Sequence, residues 1–246
     1  MKSLRKVIYI ALIFTVIGTS FLYANDNSVN DCLFIKDMKI EQENEFIKVS
    51  IKYPVLSIKD NCKNDTYRDN IERINKDISN TITNFSDRIK KEAIEYKENN
   101  KKGKYKYKYE AYVDYDIGYN KNNIISIPVT MYEFTGGAHG FTTLKPFNYN
   151  LKTGESIKLK DMFKDDVDCK DIINKHINKE IDKNKDVYFQ GEDGFKGISD
   201  NQTFYIDNDG IVVYFGLYDI APYSTGIPKF KLTWDEIGKY LNESIM

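Results

Sequence analysis

The chain has 246 residues, with 36 basic against 37 acidic side chains and a formal net charge of −1. Hydrophobic residues at 41% and charged residues at 30% place it among folded domains and outside the disordered and collagen-like classes. The even charge excludes the basic footprint of a nucleic-acid-binding protein, so no nucleic-acid partner is expected.

Lys2, Arg5 and Lys6 precede an uncharged apolar run from Val7 to Leu22, and Ala24 stands before a polar stretch. A positive start, an apolar middle and a small residue predict an export signal over residues 1–24. The run is 16 residues long, short of the about 20 that span a bilayer. Leu22 is not small, so an uncleaved anchor is the alternative, and the only route by which the chain would touch a membrane. Either reading places the mature part outside the cytoplasm, secreted or anchored. It keeps Cys32, Cys62 and Cys169, an odd count that leaves one thiol over. Cys32 with Cys62 is the first pairing to test, and Cys169 falls in a helical pattern.

Leu33 to Ile40 and Phe46 to Tyr53 alternate as two strands, after which Pro54 is expected to move the chain off the sheet edge. From Thr66 to Glu98, Ile71, Ile74, Ile78, Ile82, Phe85, Ile89 and Ala93 form one apolar stripe at spacings of three and four, which predicts a long helix packed across a sheet. Lys104 to Tyr119 reads as a Tyr-rich strand, with Tyr105, Tyr107 and Tyr109 on one face. Ile124 to Phe134 is the next strand, where Pro128 suggests an edge or a bulge. It closes an amino-terminal half spanning residues 30–134.

The carboxy-terminal half, residues 135–246, opens with Thr135-Gly136-Gly137-Ala138-His139-Gly140, three glycines and one of two histidines in six residues. An extended run from Phe141 to Leu151 follows, then a helix around Ile172, Ile173, Ile177 and Ile181 that begins near Asp165, Asp166 and Asp168. His176 of that helix is expected to pack or to face solvent. Gln202 to Ile206 and Ile211 to Gly216 flank the turn Asp207-Asn208-Asp209-Gly210 as a hairpin. A second unusual loop runs from Leu217 to Gly226. A last strand, Ile227 to Leu232, leads to Thr233 and Glu236, a capping box that opens a short helix to about Glu243. The predicted class is α+β: a mostly antiparallel sheet with one long and two shorter helices packed on it, in two associated halves.

Five segments carry a family resemblance: TGGAHG (135–140), FNYNLKTGE (147–155), LKDMF (159–163), QTFYIDNDGIVVYF (202–215) and YDIAPYSTGIPKF (218–230). In this order they resemble the outer domain of the RsiV-like lysozyme-sensing anti-sigma factors, and are similar to the amino-terminal region of PdaC-type peptidoglycan deacetylases. The resemblance covers about residues 40–243, and Asp219 departs from it where the pattern has Glu. It implies an α+β fold at the cell envelope and a stand-alone sensor or binding module rather than an enzyme. The relative's chemistry resides in a separate metal-dependent domain, and the six residues before the apolar run leave no room for a sigma-binding domain.

Three readings follow from these residues. In the first, Gly136, Gly137, His139, Tyr218, Asp219 and Tyr223 frame one non-catalytic binding site for an envelope glycan or for a secreted protein such as lysozyme. Backbone donors and rigid aromatics suit neutral polar ligands. In the second, the chain is a peptidoglycan-related hydrolase using Asp219, Glu133, His139 and Ser224, although no Gly-x-Ser-x-Gly elbow is present. In the third, it is an envelope scaffold whose Tyr strand binds another protein. With two histidines and no Cys-x-x-Cys pair, no metal or other cofactor is expected.

Overall fold

A computed structural model describes residues 32–59, 65–100 and 106–243. The signal or anchor segment, Cys62 and Tyr105 lie outside the described residues. Among the described residues no helix is long and apolar enough to cross a membrane.

The Ile stripe forms α1, Asp65–Asn99. Ile74, Ile78 and Ile89 are fully buried beneath it, against a six-stranded sheet. Truncating one of them to alanine costs about 2–5 kcal/mol. The helix is the crossover between β2 (Ile47–Ile58) and β3 (Tyr109–Tyr115), which is why those two pair in parallel while the other strand pairings among the described residues are antiparallel. β1 (Leu33–Glu43) flanks β2, and β5 (Ile124–Phe134) pairs with β3, with the short β4 (Tyr119–Lys121) and with β6 (Phe141–Asn150). The turn at residues 135–140 is therefore the tip of a hairpin inside this first sheet. After a 3-10 turn at Leu159–Met162, α2 (Cys169–Lys183) starts at Asp168, whose side chain accepts from Asp171 N–H. β7 (Phe204–Asp207), β8 (Gly210–Tyr214) and β9 (Lys229–Thr233) make a second, antiparallel sheet that builds its own core with α2. The expected α+β class, mostly antiparallel with few helices, is what the structure has.

Two prolines behave differently from expectation. β2 continues through Pro54 to Ile58, because the nitrogen at this position points away from β1; two residues on, Leu56 N–H points the same way, to Asn75 of α1. Pro128 lies in a strand paired on both sides. Its nitrogen faces the interruption between β3 and β4, where no ladder donor is required. The capping box at Thr233 and Glu236 forms, but α3 is only Trp234–Ile237, and Leu241 turns back to bridge Phe163. Cys32 is disulfide-bonded, and Cys169 is a half-buried free thiol.

β5 is buried on both faces. Ile125, Ile127 and Val129 face α1, while Ile124 and Ser126 face the second sheet. There a polar relay joins the halves. Ser126 Oγ donates to Asn148 Oδ1 at 2.6 Å and accepts from Ile206 N–H at 2.9 Å, and Asn148 Nδ2 donates to the Phe204 carbonyl at 2.8 Å. Tyr214, buried in β8, adds a hydroxyl bond of 2.8 Å to the Leu144 carbonyl of β6. These contacts fix the β5–β6 hairpin against the second sheet, from whose β8 the loop at residues 217–226 departs.

Candidate functional site

The hairpin tip turns through Gly136 and Gly137, whose φ values of +107° and +97° fall where side chains are rarely accommodated. Among the described residues no hydrogen bond occupies either N–H. The tip projects His139 into solvent. His139 Nδ1 lies 3.0 Å from the Gly140 carbonyl, which can only accept, so Nδ1 donates there, and in the neutral ring Nε2 is left as an acceptor.

The second loop meets it there. The Tyr223 ring stacks on the imidazole with centroids 3.8 Å apart and 22° between planes, and its hydroxyl donates to the Gly140 carbonyl at 3.0 Å. Tyr218 is 49% exposed and holds a φ of +70°, a strained setting for a residue other than glycine. Its hydroxyl reaches to 3.3 Å from His139 Nε2. Two loops about 80 residues apart in the chain thus share one exposed site.

Other candidates lie elsewhere. Asp219 accepts from Gly216 N–H at 2.7 Å and closes its own turn. Glu133 is on the α1 face of β5, paired with Arg88. Ser224 is exposed in a 3-10 turn. His176 sits on α2, 3.7 Å from Glu236. Tyr109 stacks on Tyr96 and Tyr107 meets Phe134 edge to face, so these two tyrosines are engaged within the chain. Among the described residues no group of three or more His, Cys, Asp or Glu side chains is gathered as for a metal ion.

Sequence reasoning missed three neighbours. Tyr132 passes so close beneath Gly140 that a Cβ there would fall 2.4 Å from its ring. Burial, with Glu110 and Tyr223 nearby, pushes the Tyr132 hydroxyl above the usual tyrosine value. Tyr112 stands opposite Tyr132 in register and is 42% exposed. Period-two alternation places Tyr112 and Glu110 on one face of β3, but the pairing that sets them beside Tyr132 is not written in either strand alone.

Comparison with known proteins gives two adjoining family matches: "Deacetylase PdaC" over residues 40–142 and "Protein of unknown function (DUF3298)" over residues 160–235. A curated relative, the peptidoglycan-N-acetylmuramic acid deacetylase PdaC of Bacillus subtilis, is 32% identical over 116 residues, which cover 46% of this chain and 25% of the relative. The chain therefore matches about a quarter of that protein's length. Among solved structures, a DUF3298 family member from Bacteroides fragilis has a TM-score of 0.61 at 19% identity, covering 89% of this chain and 96% of that one. A DUF3298 protein from Pseudomonas aeruginosa has a TM-score of 0.57 at 15% identity, covering 88% and 98%. Both show a shared fold. The expectation of a chain that is not an enzyme is corrected here, since the curated relative is named a deacetylase and that likeness points to a possible enzyme. These findings support the deacetylase side of the expected resemblance and do not bear on the lysozyme-sensing side. The chain is thus similar, in order along its length, to a PdaC region and a DUF3298 region, on a fold it shares with solved DUF3298 proteins.

Proposed function

We propose that this chain is an extracytoplasmic cell-envelope protein that holds peptidoglycan glycan in the recess between residues 135–140 and 217–226. The observation that carries the reading is the stack of His139 on Tyr223 with Tyr218 at its rim, one loop from each of the two matched segments. An imidazole acceptor, free backbone N–H groups at Gly136 and Gly137, and tyrosine faces are what the hydroxyl, amide and ring surfaces of a neutral sugar require. The relative's name supports the ligand class and a location outside the cytoplasmic membrane, to which the apolar amino-terminal run would deliver or tether the chain. Asp219, through its own turn, would hold Tyr218 in place.

A secreted protein such as lysozyme is the second reading, favoured by the exposed Tyr218 at the recess, since large aromatics are enriched at protein interfaces. Retention of the full chain on insoluble peptidoglycan and on immobilised lysozyme separates the two, with acetate release from peptidoglycan followed in the same samples. His139→Ala and Tyr223→Ala are expected to weaken peptidoglycan retention about tenfold or more with little change in thermal unfolding. Unchanged retention with lowered stability would make both loops structural and overturn the reading. Acetate release that His139→Ala abolishes would make the recess a reaction centre as well as a binding site.

A further inference from the structure

The face of the first sheet opposite α1 is only partly covered by the second sheet. Beyond the recess it stays open across β5, β3 and β2, and its occupants are not those of an idle solvated face. Tyr112 lies along β3 with its hydroxyl donating to Asp114 Oδ2 at 3.1 Å. Asp114 is itself held by Lys52 Nζ at 3.1 Å and by Tyr115 N–H at 2.8 Å. A surface tyrosine tethered at its tip presents a fixed ring, and this ring is 42% exposed. Tyr132 stands across from it in register, and the far end of Tyr132 reaches Gly140 below His139. Tyr112, Tyr132, Tyr223, His139 and Tyr218 therefore form one continuous row, with the carboxylate of Glu110 beside Tyr132. Glu110 makes no hydrogen bond or ion pair among the described residues.

Apart from Glu110, several charged groups along this face are held by partners on it. Lys52 is paired with Asp114, Lys108 with Glu43, and Ser50 Oγ donates to Glu41. A face of balanced charge does not select a polyanion such as a polyphosphate, and its aromatic row suits an uncharged ligand with apolar ring faces. The row crosses from a loop through two strands, and neighbouring strands alone are about 4.8 Å apart, so it exceeds the width of a single sugar ring.

We propose that the recess is one end of a longer path, in which Tyr132 and Tyr112 are successive stacking platforms for further units of a β-linked, N-acetylated glycan strand, with Glu110 accepting from its hydroxyl or amide groups. This rests on the glycan-binding reading of the recess and adds to it a dependence on chain length. Binding of the full chain to β-1,4-linked N-acetylglucosamine oligomers of two, four and six units, measured by titration calorimetry, tests it. The wild type is expected to bind the longer oligomers more tightly than the disaccharide. Tyr112→Ala is expected to remove about five- to tenfold of affinity for the longer oligomers while leaving the disaccharide unchanged. Tyr112→Phe, which keeps the ring and loses only the tether, is expected to fall between, and His139→Ala to weaken every length. Binding without a chain-length gain, or a gain that survives Tyr112→Ala, overturns the path and leaves the recess. No binding at any length overturns both.

Discussion

Replacing Ser126 with alanine tests how the two halves are joined. The side chain is fully buried, at 0% exposure, and its single hydroxyl serves two partners from different strands, Asn148 Oδ1 and Ile206 N–H. Alanine removes one oxygen and leaves little cavity, so the loss comes from the two buried polar groups it abandons. Each costs about 1–3 kcal/mol when left unsatisfied, giving about 2–6 kcal/mol together, a large share of the about 5–15 kcal/mol that holds a typical domain. The assay is urea unfolding followed by two probes. Circular dichroism at 222 nm reports chiefly α1, in the first half, and the fluorescence of Trp234, the only tryptophan, reports the second. Both transitions should move together to lower urea, because the relay couples the sheets. A loss below about 1 kcal/mol, or a shift in only one probe, would refute the claim that this relay fixes one half on the other.

Gly140→Ala forces a Cβ into the Tyr132 ring, 2.4 Å away. The expected loss is about 1–3 kcal/mol of stability, seen in thermal unfolding, together with weaker peptidoglycan retention as the ring swings into the row. Asn75 bonds both the N–H and the carbonyl of Leu56 at 2.8 Å. Asn75→Ala should cost about 1–3 kcal/mol in urea unfolding by orphaning the β2 edge. Burial raises the hydroxyls of Tyr149 and Tyr214 above the usual tyrosine value, with the carboxylate of Asp77 adding to it at Tyr149. The folded state holds these protons more tightly than the unfolded chain does. Their contribution is therefore complete below about pH 10, where an unfolded tyrosine ionises, and is lost as pH rises beyond it. Alkaline unfolding followed at 295 nm should show both failing to titrate before the transition, with Tyr214→Phe flattening the fall.

The long helix was legible because its stripe of isoleucines depends only on local period, and the hairpin around Asp207-Asn208-Asp209-Gly210 because its turn chemistry is local too. Pro54 and Pro128 were misread for the opposite reason. Whether a proline breaks a strand depends on which neighbour its nitrogen faces, and that is decided by pairings with residues far along the chain. At the recess, the unusual composition drew attention to His139, Tyr218 and Tyr223, but not to the fact that Asp219 turns back onto Gly216. Nor did it draw attention to Glu110, Tyr112 and Tyr132. Those three sit in ordinary alternating strands, and only the register of β3 on β5 sets them beside the loops. The expectation of a non-enzyme rested on resemblance and on the scarcity of histidines, and the name of the curated relative overturns it by pointing to a possible enzyme.

The most direct test of a glycan-binding recess uses the fact that the chain has two histidines. His139 lies at the recess and His176 on α2 beside Glu236. Their imidazole resonances, assigned with His139→Gln and His176→Gln, can be followed in NMR spectra during titration with soluble peptidoglycan glycan fragments. The expected result is a saturable shift of the His139 signal with His176 unmoved. Fragments that bind while the His139 signal stays fixed would contradict the account.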